Sequence, residues 1–161
     1  MSNGITVEPA FSGPAFKEFL HLPWRIYAGD KLWVAPLLMD QKKTLARSYP
    51  FFEHGDAELF LARKNGKPVG RISAHINHSH TRKFADKRGF FGWFESINDQ
   101  AVADALFQAA RAWLKSKDPG LTHMRGPFQW DVNGENTGLL IEDKHEGRPV
   151  VLMPYNPGYY A

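Results

Sequence analysis

The chain has 161 residues, a formal net charge of +3 from twenty Lys and Arg against seventeen Asp and Glu, and no cysteine. That length buries a core within one domain, residues 1–161, without covalent staples. The missing cysteines exclude disulfides, thiolate metal sites and a thiol nucleophile, while scattered charge and the lack of any eighteen-residue apolar run predict no nucleic-acid partner, no membrane span and a cytoplasmic protein.

In chain order, residues 5–7 alternate and meet Pro9, as a short edge strand does. Ser12 and Pro14 then open a helix through Phe16, Phe19 and Leu20 that Pro23 ends or kinks. Residues 22–36 hold three aromatics and a Gly-Asp turn, which predicts a buried, irregular connection, and residues 37–46 read as a short helix.

Residues 57–77 are the clearest stretch. Asn65-Gly66 between two apolar-alternating runs signals a two-residue hairpin turn, because both central positions of a type I′ turn need positive φ. Strict pairing across that turn sets Ala62 opposite Val69, Phe60 opposite Arg71 and Glu58 opposite Ser73. It predicts one apolar face of Leu59, Leu61, Gly70, Ile72, Ala74 and Ile76, and one mixed face of Glu58, Phe60, Arg71, Ser73 and His75. The Phe60–Arg71 pair reads as ordinary sheet packing, with the Arg71 cation over the Phe60 ring as the alternative.

Residues 78–88 read as a polar loop with His78, His80, Arg82, Lys83, Lys87 and Arg88. The aromatic run GFFGWFE at 89–95 resumes as a strand. Val102, Leu106, Ala109 and Trp113 make one helical stripe and Ala103, Phe107, Ala110 and Leu114 a second, with Asp104, Gln108, Arg111 and Lys115 on the other side. Ser96, Asn98 and Asp99 are competent caps for this helix, and Pro119-Gly120 marks its end. Residues 121–128 predict a strand, 131–138 turns, and 139–142 and 150–153 two short apolar pieces.

The segments LPWRIYAGDKLWVAPLLMD, PFFEHGDAELFLARKNGKPVGRISAHINHSH, GFFGWFES, RGPFQWDVN, GLLIE and MPYNPGYY, together with this element order, resemble a group of bacterial GNAT-like (Gcn5-related N-acetyltransferase) proteins over residues 20–161. The resemblance implies an α/β (α+β) domain, a mixed and mostly antiparallel sheet with helices on both faces. It also implies transfer of an acyl group from acetyl-CoA or another acyl-CoA to a small-molecule or peptide amine. Members of the group are longer, so this chain is expected to be an N-terminal portion with part of the cleft missing. An open sheet edge then predicts a homo-oligomer.

The superfamily holds the CoA pyrophosphate on main-chain amides of a glycine-bearing loop at a helix start, where donors and dipole favour anions. The equivalent positions here are Ser96, Asn98, Asp99, Gln100, Ala101 and Val102, with no glycine and with an acid. They are the expected cofactor-binding residues, or else a helix start that caps itself. By the same resemblance Tyr160, or its neighbour Tyr159, is the expected acid. Glu95 is the best-placed base, with Glu58 and His75 in reserve. His75, His78 and His80 lack a ligand spacing, so no metal is expected. The rival expectation is a non-catalytic GNAT-like module for binding or dimerisation.

Overall fold

The computed structural model describes residues 4–130, 137–142 and 154–160. Five strands, β1 (Ile5–Pro9), β2 (Gly55–Lys64), β3 (Lys67–Asn77), β4 (Arg88–Ser96) and β5 (His123–Arg125), form one sheet in the order β1-β2-β3-β4-β5. The first four pair antiparallel and β5 pairs parallel with β4. Helix α1 (Gly13–Ile26) covers one face and α4 (Gln100–Lys117) the other. Two shorter helices, α2 (Leu38–Leu45) and α3 (His78–Phe84), lie in the connections. This is the α+β sheet with helices on both faces that the sequence predicts.

Asn65 and Gly66 take φ of 51° and 77°, the backbone the hairpin turn requires. The strict register does not survive two residues past it. Lys64 faces Lys67 and Arg63 faces Pro68, but Ala62 faces Gly70, because Val69 is an extra residue bulged out of the ladder. From there each β3 side chain lies on the opposite face from the one strict pairing assigns. Leu59 and Leu61 share the α1 face with Arg71, Ser73 and His75, while Phe60 and Ala62 join Ile72, Ala74 and Ile76 beneath α4. The expected Phe60–Arg71 pair therefore does not form. Arg71 instead sits 5.0 Å from the Phe19 ring and donates to the Phe19 carbonyl of α1 at 2.8 Å.

A second bulge bends β4. Trp93 and Phe94 together oppose Ile72, and Trp93 has a φ of 44°, a conformation that costs a bulky residue on the order of 1 to 3 kcal/mol. Packing holds it there: the Trp93 ring lies 4.3 Å from that of Trp130, and its indole N–H donates to Gln41 at 3.2 Å. Next to it Gly92 lets the following chain cross at close range, since a Cβ at that position would stand 1.8 Å from the Phe128 carbonyl oxygen.

The two helical stripes of α4 behave as their spacing predicts. Val102, Leu106, Ala110 and Leu114 are buried on the sheet, Phe107, Ala109 and Trp113 flank them, and Asp104, Gln108, Arg111 and Lys115 are exposed. Other expectations are corrected. Of the two outcomes expected at Pro23, an end to the helix does not occur, since Pro23 lies inside α1. Residues 78–84 are helical because the Asn77 side chain accepts from the His80 amide at 3.0 Å and caps them. Regular β5 is only three residues long. The turns read at 131–136 and the apolar piece at 150–153 lie outside the described residues. Among the described residues no helix is long and apolar enough to cross a membrane.

His75 is fully buried among the rings of Phe51, Phe90, Phe128 and Trp130, and neither ring nitrogen has a hydrogen-bond partner among the described residues. Burial pushes its pKa down to about 3. An unfolded chain takes up that proton near pH 6.5 and the folded one does not, so stability falls as pH drops from about 6.5 to about 3. Urea unfolding followed across that window is expected to lose about 1 kcal/mol per pH unit from this residue. His75→Leu is expected to remove that part of the slope, and comparing the two proteins cancels the contributions of the carboxylates. Gly92→Ala is expected to lower the unfolding free energy by about 3 kcal/mol in the same assay, because the obstructing atom is main chain and does not rotate away.

Candidate active site

Beyond Phe90, β4 has no ladder partner on the β5 side among the described residues, and the chain supplies substitutes. The Phe128 amide donates to the Phe91 carbonyl at 3.0 Å. At Ser96 the substitutes are phenols: the Ser96 amide donates to the Tyr160 hydroxyl at 2.6 Å, and the Tyr159 hydroxyl donates to the Ser96 carbonyl at 2.7 Å. The C-terminal tyrosines are thus fastened to the end of β4 by its otherwise unmet main-chain groups.

Glu95 is the charged group at this junction. Its Oε2 lies 3.0 Å from the Tyr27 hydroxyl and 3.1 Å from that of Tyr160, and its Oε1 lies 4.0 Å from Arg71 Nη2. Burial raises the Glu95 pKa above the ordinary carboxylate range, and the Arg71 charge and the two phenol hydrogen bonds only partly oppose it. Burial likewise raises both phenols, with the neighbouring carboxylate adding to it, so each stays a proton donor. Arg71 is itself buried, and its Nε has no partner among the described residues. The cluster is a desolvated carboxyl whose pKa burial raises, flanked by two hydroxyls.

Tyr160 also lines a cavity of about 380 Å³ between the end of β4 and the start of α4. Phe91, Phe94, Phe107, Pro127 and Leu139 give it apolar walls. Ser96, Asn98, Asp99 and Gln100 form its polar end. Tyr160 therefore belongs to both the cavity and the Glu95 cluster.

Of the residues singled out in the sequence, Glu95 and Tyr160 meet directly, and Ser96, Asn98, Asp99 and Gln100 gather at one end of the cavity. Ala101 and Val102 contribute main-chain amides that are already engaged: Ala101 donates to the Asp99 carboxylate at 3.0 Å and Val102 to the Asp99 carbonyl at 3.0 Å. Asp99 is thus the helix cap, and Lys64 Nζ at 2.6 Å from its Oδ2 holds the carboxyl below its usual range. A diphosphate does not fit this helix start as it stands, because a carboxylate already occupies the place of the anion. Among the described residues the cavity lining also includes no Lys, Arg or His.

Glu58 and His75, the reserve bases, do not join the cluster. Glu58 pairs with Ala74, well along the ribbon from the Arg71–Glu95 pair, and its carboxylate accepts the Leu59 amide at 3.1 Å. His75 lies in the aromatic core. His78 and His80 each contact a separate acid, Asp56 and Asp86, both at 2.9 Å.

Sequence reasoning missed Tyr27 and Arg71 as site residues. Tyr27 closes α1, stacks on Trp33 with centroids 4.9 Å apart, and only through the α1–sheet packing reaches Glu95. Its place in an aromatic-rich connection was the one available signal. Arg71 comes to Glu95 through the Val69 bulge, which residue type alone does not announce.

No family model matches the chain. Over 157 residues, 96% of its length, it is 38% identical to the bacterial ceramide synthase of Caulobacter vibrioides. Over 145 residues, 90% of its length, it is 37% identical to the protein YghO of Escherichia coli. The chain spans 40% and 36% of those two relatives. Among solved structures, an aminoglycoside acetyltransferase from an uncultured soil metagenomic sample, bound to sisomicin, superposes with a TM-score of 0.51 over 76% of both chains at 15% identity. The trehalose complex of that enzyme gives the same score over 77% of both chains at 14% identity. The fold is that of these acetyltransferases, GNAT-like, with the five-stranded sheet and four helices described above.

Carbon-13 NMR of glutamate side-chain carboxyls is expected to show Glu95 titrating above the ordinary carboxylate range. Tyr27→Phe and Tyr160→Phe each remove a hydrogen bond to the ionised form and are expected to move that midpoint further up.

Proposed function

We propose that this protein is an N-acyltransferase that moves an acyl group from an acyl-thioester donor, acyl-CoA among them, to the amino group of a long-chain amine. The product is an amide of the ceramide type. The observation that carries this reading is the desolvated Glu95 carboxyl in contact with the Tyr160 hydroxyl at the edge of an apolar cavity. The acetyltransferase fold and the 38% identity to a ceramide synthase support it.

An amine attacks only when neutral, and Glu95, with its raised pKa, is the group suited to take the ammonium proton near neutral pH. The nitrogen lone pair forms the C–N bond at the thioester carbonyl, the C–S bond breaks, and the second proton of the attacking nitrogen passes to solvent. The thiolate leaves with the bonding electrons and needs a proton, which the Tyr160 hydroxyl supplies. Glu95, carrying the proton it took from the amine, lies 3.1 Å from the Tyr160 oxygen and restores it. Once Glu95 is neutral, the negative charge that helps hold the Tyr160 proton in place is gone, so the two transfers assist one another. Tyr27 and Arg71 position the carboxyl and do not themselves exchange protons with substrate.

A non-catalytic binding module of the same fold is the second reading, favoured by the self-capped helix start at Asp99. The two separate in one assay. Incubation of the protein with octanoyl-CoA and a long-chain 2-amino-1,3-diol is expected to release free thiol and form the amide, detected by mass spectrometry. Glu95→Gln is expected to lower kcat by about 100-fold with KM little changed. The acid limb of the wild-type rate profile is expected above the ordinary carboxylate range. Thioester binding without amide formation would leave the binding module standing, and full activity in Glu95→Gln would remove the proton route.

A further inference from the structure

We infer that the donor site of this chain reads the acyl-bearing arm of a thioester and not the nucleotide diphosphate of CoA, so that acyl donors lacking the nucleotide serve equally well. The inference rests on the acyl-transfer reading above and deepens it. Three independent features point the same way.

The first is that three main-chain amides at the α4 start, those of Ala101, Val102 and Ala103, are already engaged by Asp99. The Asp99 carboxylate accepts the Ala101 amide, and the Asp99 carbonyl accepts the amides of Val102 and Ala103 at 3.0 and 3.3 Å. Asp99 is itself held by Lys64 at 2.6 Å, so that cation is committed to it. An incoming diphosphate would have to break that ion pair and approach a carboxylate across a few ångströms, and like charges repel.

The second is the composition of the cavity. Its polar end offers an acid and three uncharged side chains, Ser96, Asn98 and Gln100, and the Gln100 amide already donates to Asp104 at 2.9 Å. Among the described residues no basic side chain lines it. A group bearing several negative charges finds no counter-charge among those described residues, whereas a pantetheine amide finds donors and acceptors.

The third is the wall. Phe91, Phe94, Phe107, Pro127 and Leu139 line a volume of about 380 Å³ that Tyr160 also lines. Apolar surface of that kind favours an alkyl chain by about 25 cal/mol per Å² removed from water. Affinity for the donor then comes from the acyl arm, and the nucleotide stays in solvent.

The test is calorimetric titration of the protein with octanoyl-CoA and with S-octanoyl-pantetheine, which share the thioester arm and differ in the nucleotide. The expected result is binding of both, with dissociation constants within about threefold of each other. Asp99→Ser keeps a capping hydroxyl but removes the negative charge and frees Lys64. In that variant octanoyl-CoA is expected to gain about tenfold over S-octanoyl-pantetheine. A wild-type preference for octanoyl-CoA of about tenfold or more overturns the inference and leaves the acyl-transfer reading intact. Equal binding in both wild type and Asp99→Ser also overturns it, because Asp99 is then not what excludes the diphosphate. Failure of the wild type to bind either thioester removes the acyl-transfer reading and the inference together.

Discussion

Arg71 lies beneath α1 and beside Glu95 because β3 carries one residue more than β2 in their shared ladder. The period of a strand is two, so an insertion of one exchanges every side chain between faces. With Val69 bulged, the polar series Arg71, Ser73 and His75 points into the α1 layer, and Ile72, Ala74 and Ile76 point at α4. Had strict pairing held, those isoleucines would have shared a face with Leu59 and Leu61, leaving Phe60 to face the other layer with Arg71. The bulge thus divides apolar surface between two helix layers and admits a guanidinium to one of them.

Placing those groups inside has a cost. Arg71 Nε, Ser73 Oγ and both His75 nitrogens are buried without hydrogen-bond partners among the described residues, each a penalty on the order of 1 to 3 kcal/mol. Trp93 adds backbone strain at the second bulge. These features concentrate along two adjacent strands, β3 and β4, on the face where Glu95 lies. The rest of the sheet, under α4, is packed without such exceptions: Ile72, Ala74, Val102, Leu106 and Ala110 are all fully buried and apolar. One face carries the stability of the ribbon, and the other holds the polar groups.

The junction at Ser96 joins that polar face to the cavity on the α4 side. Two phenols satisfy the main-chain groups that a longer β5 would have met, and one of them, Tyr160, touches Glu95. A short strand at this position is therefore what leaves room for a cavity and gives the chain near its C-terminus a place to dock. Tyr160, the acid expected from the resemblance, and Glu95, the base expected from its place at the end of β4, are in contact through that docking, although they stand 65 positions apart.

Much of this was written locally. Asn65-Gly66 determined a hairpin because few other residues tolerate two successive positive φ angles, and the two stripes of α4 determined its buried face because helical periodicity leaves no other arrangement. Tyr160 was singled out through family resemblance and Glu95 through its place at the end of an aromatic strand, and Asp99 was legible as a cap through its position before an apolar-periodic run. Only tertiary structure decided the faces of β3, because a bulge depends on how α1, α4 and β4 together accommodate Val69, and alternation cannot show where a ladder will slip. Only tertiary structure brought Tyr27 and Arg71 to Glu95, since their contact exists through layer packing and a buried carboxyl acquires its raised pKa from surroundings that no short stretch of sequence contains.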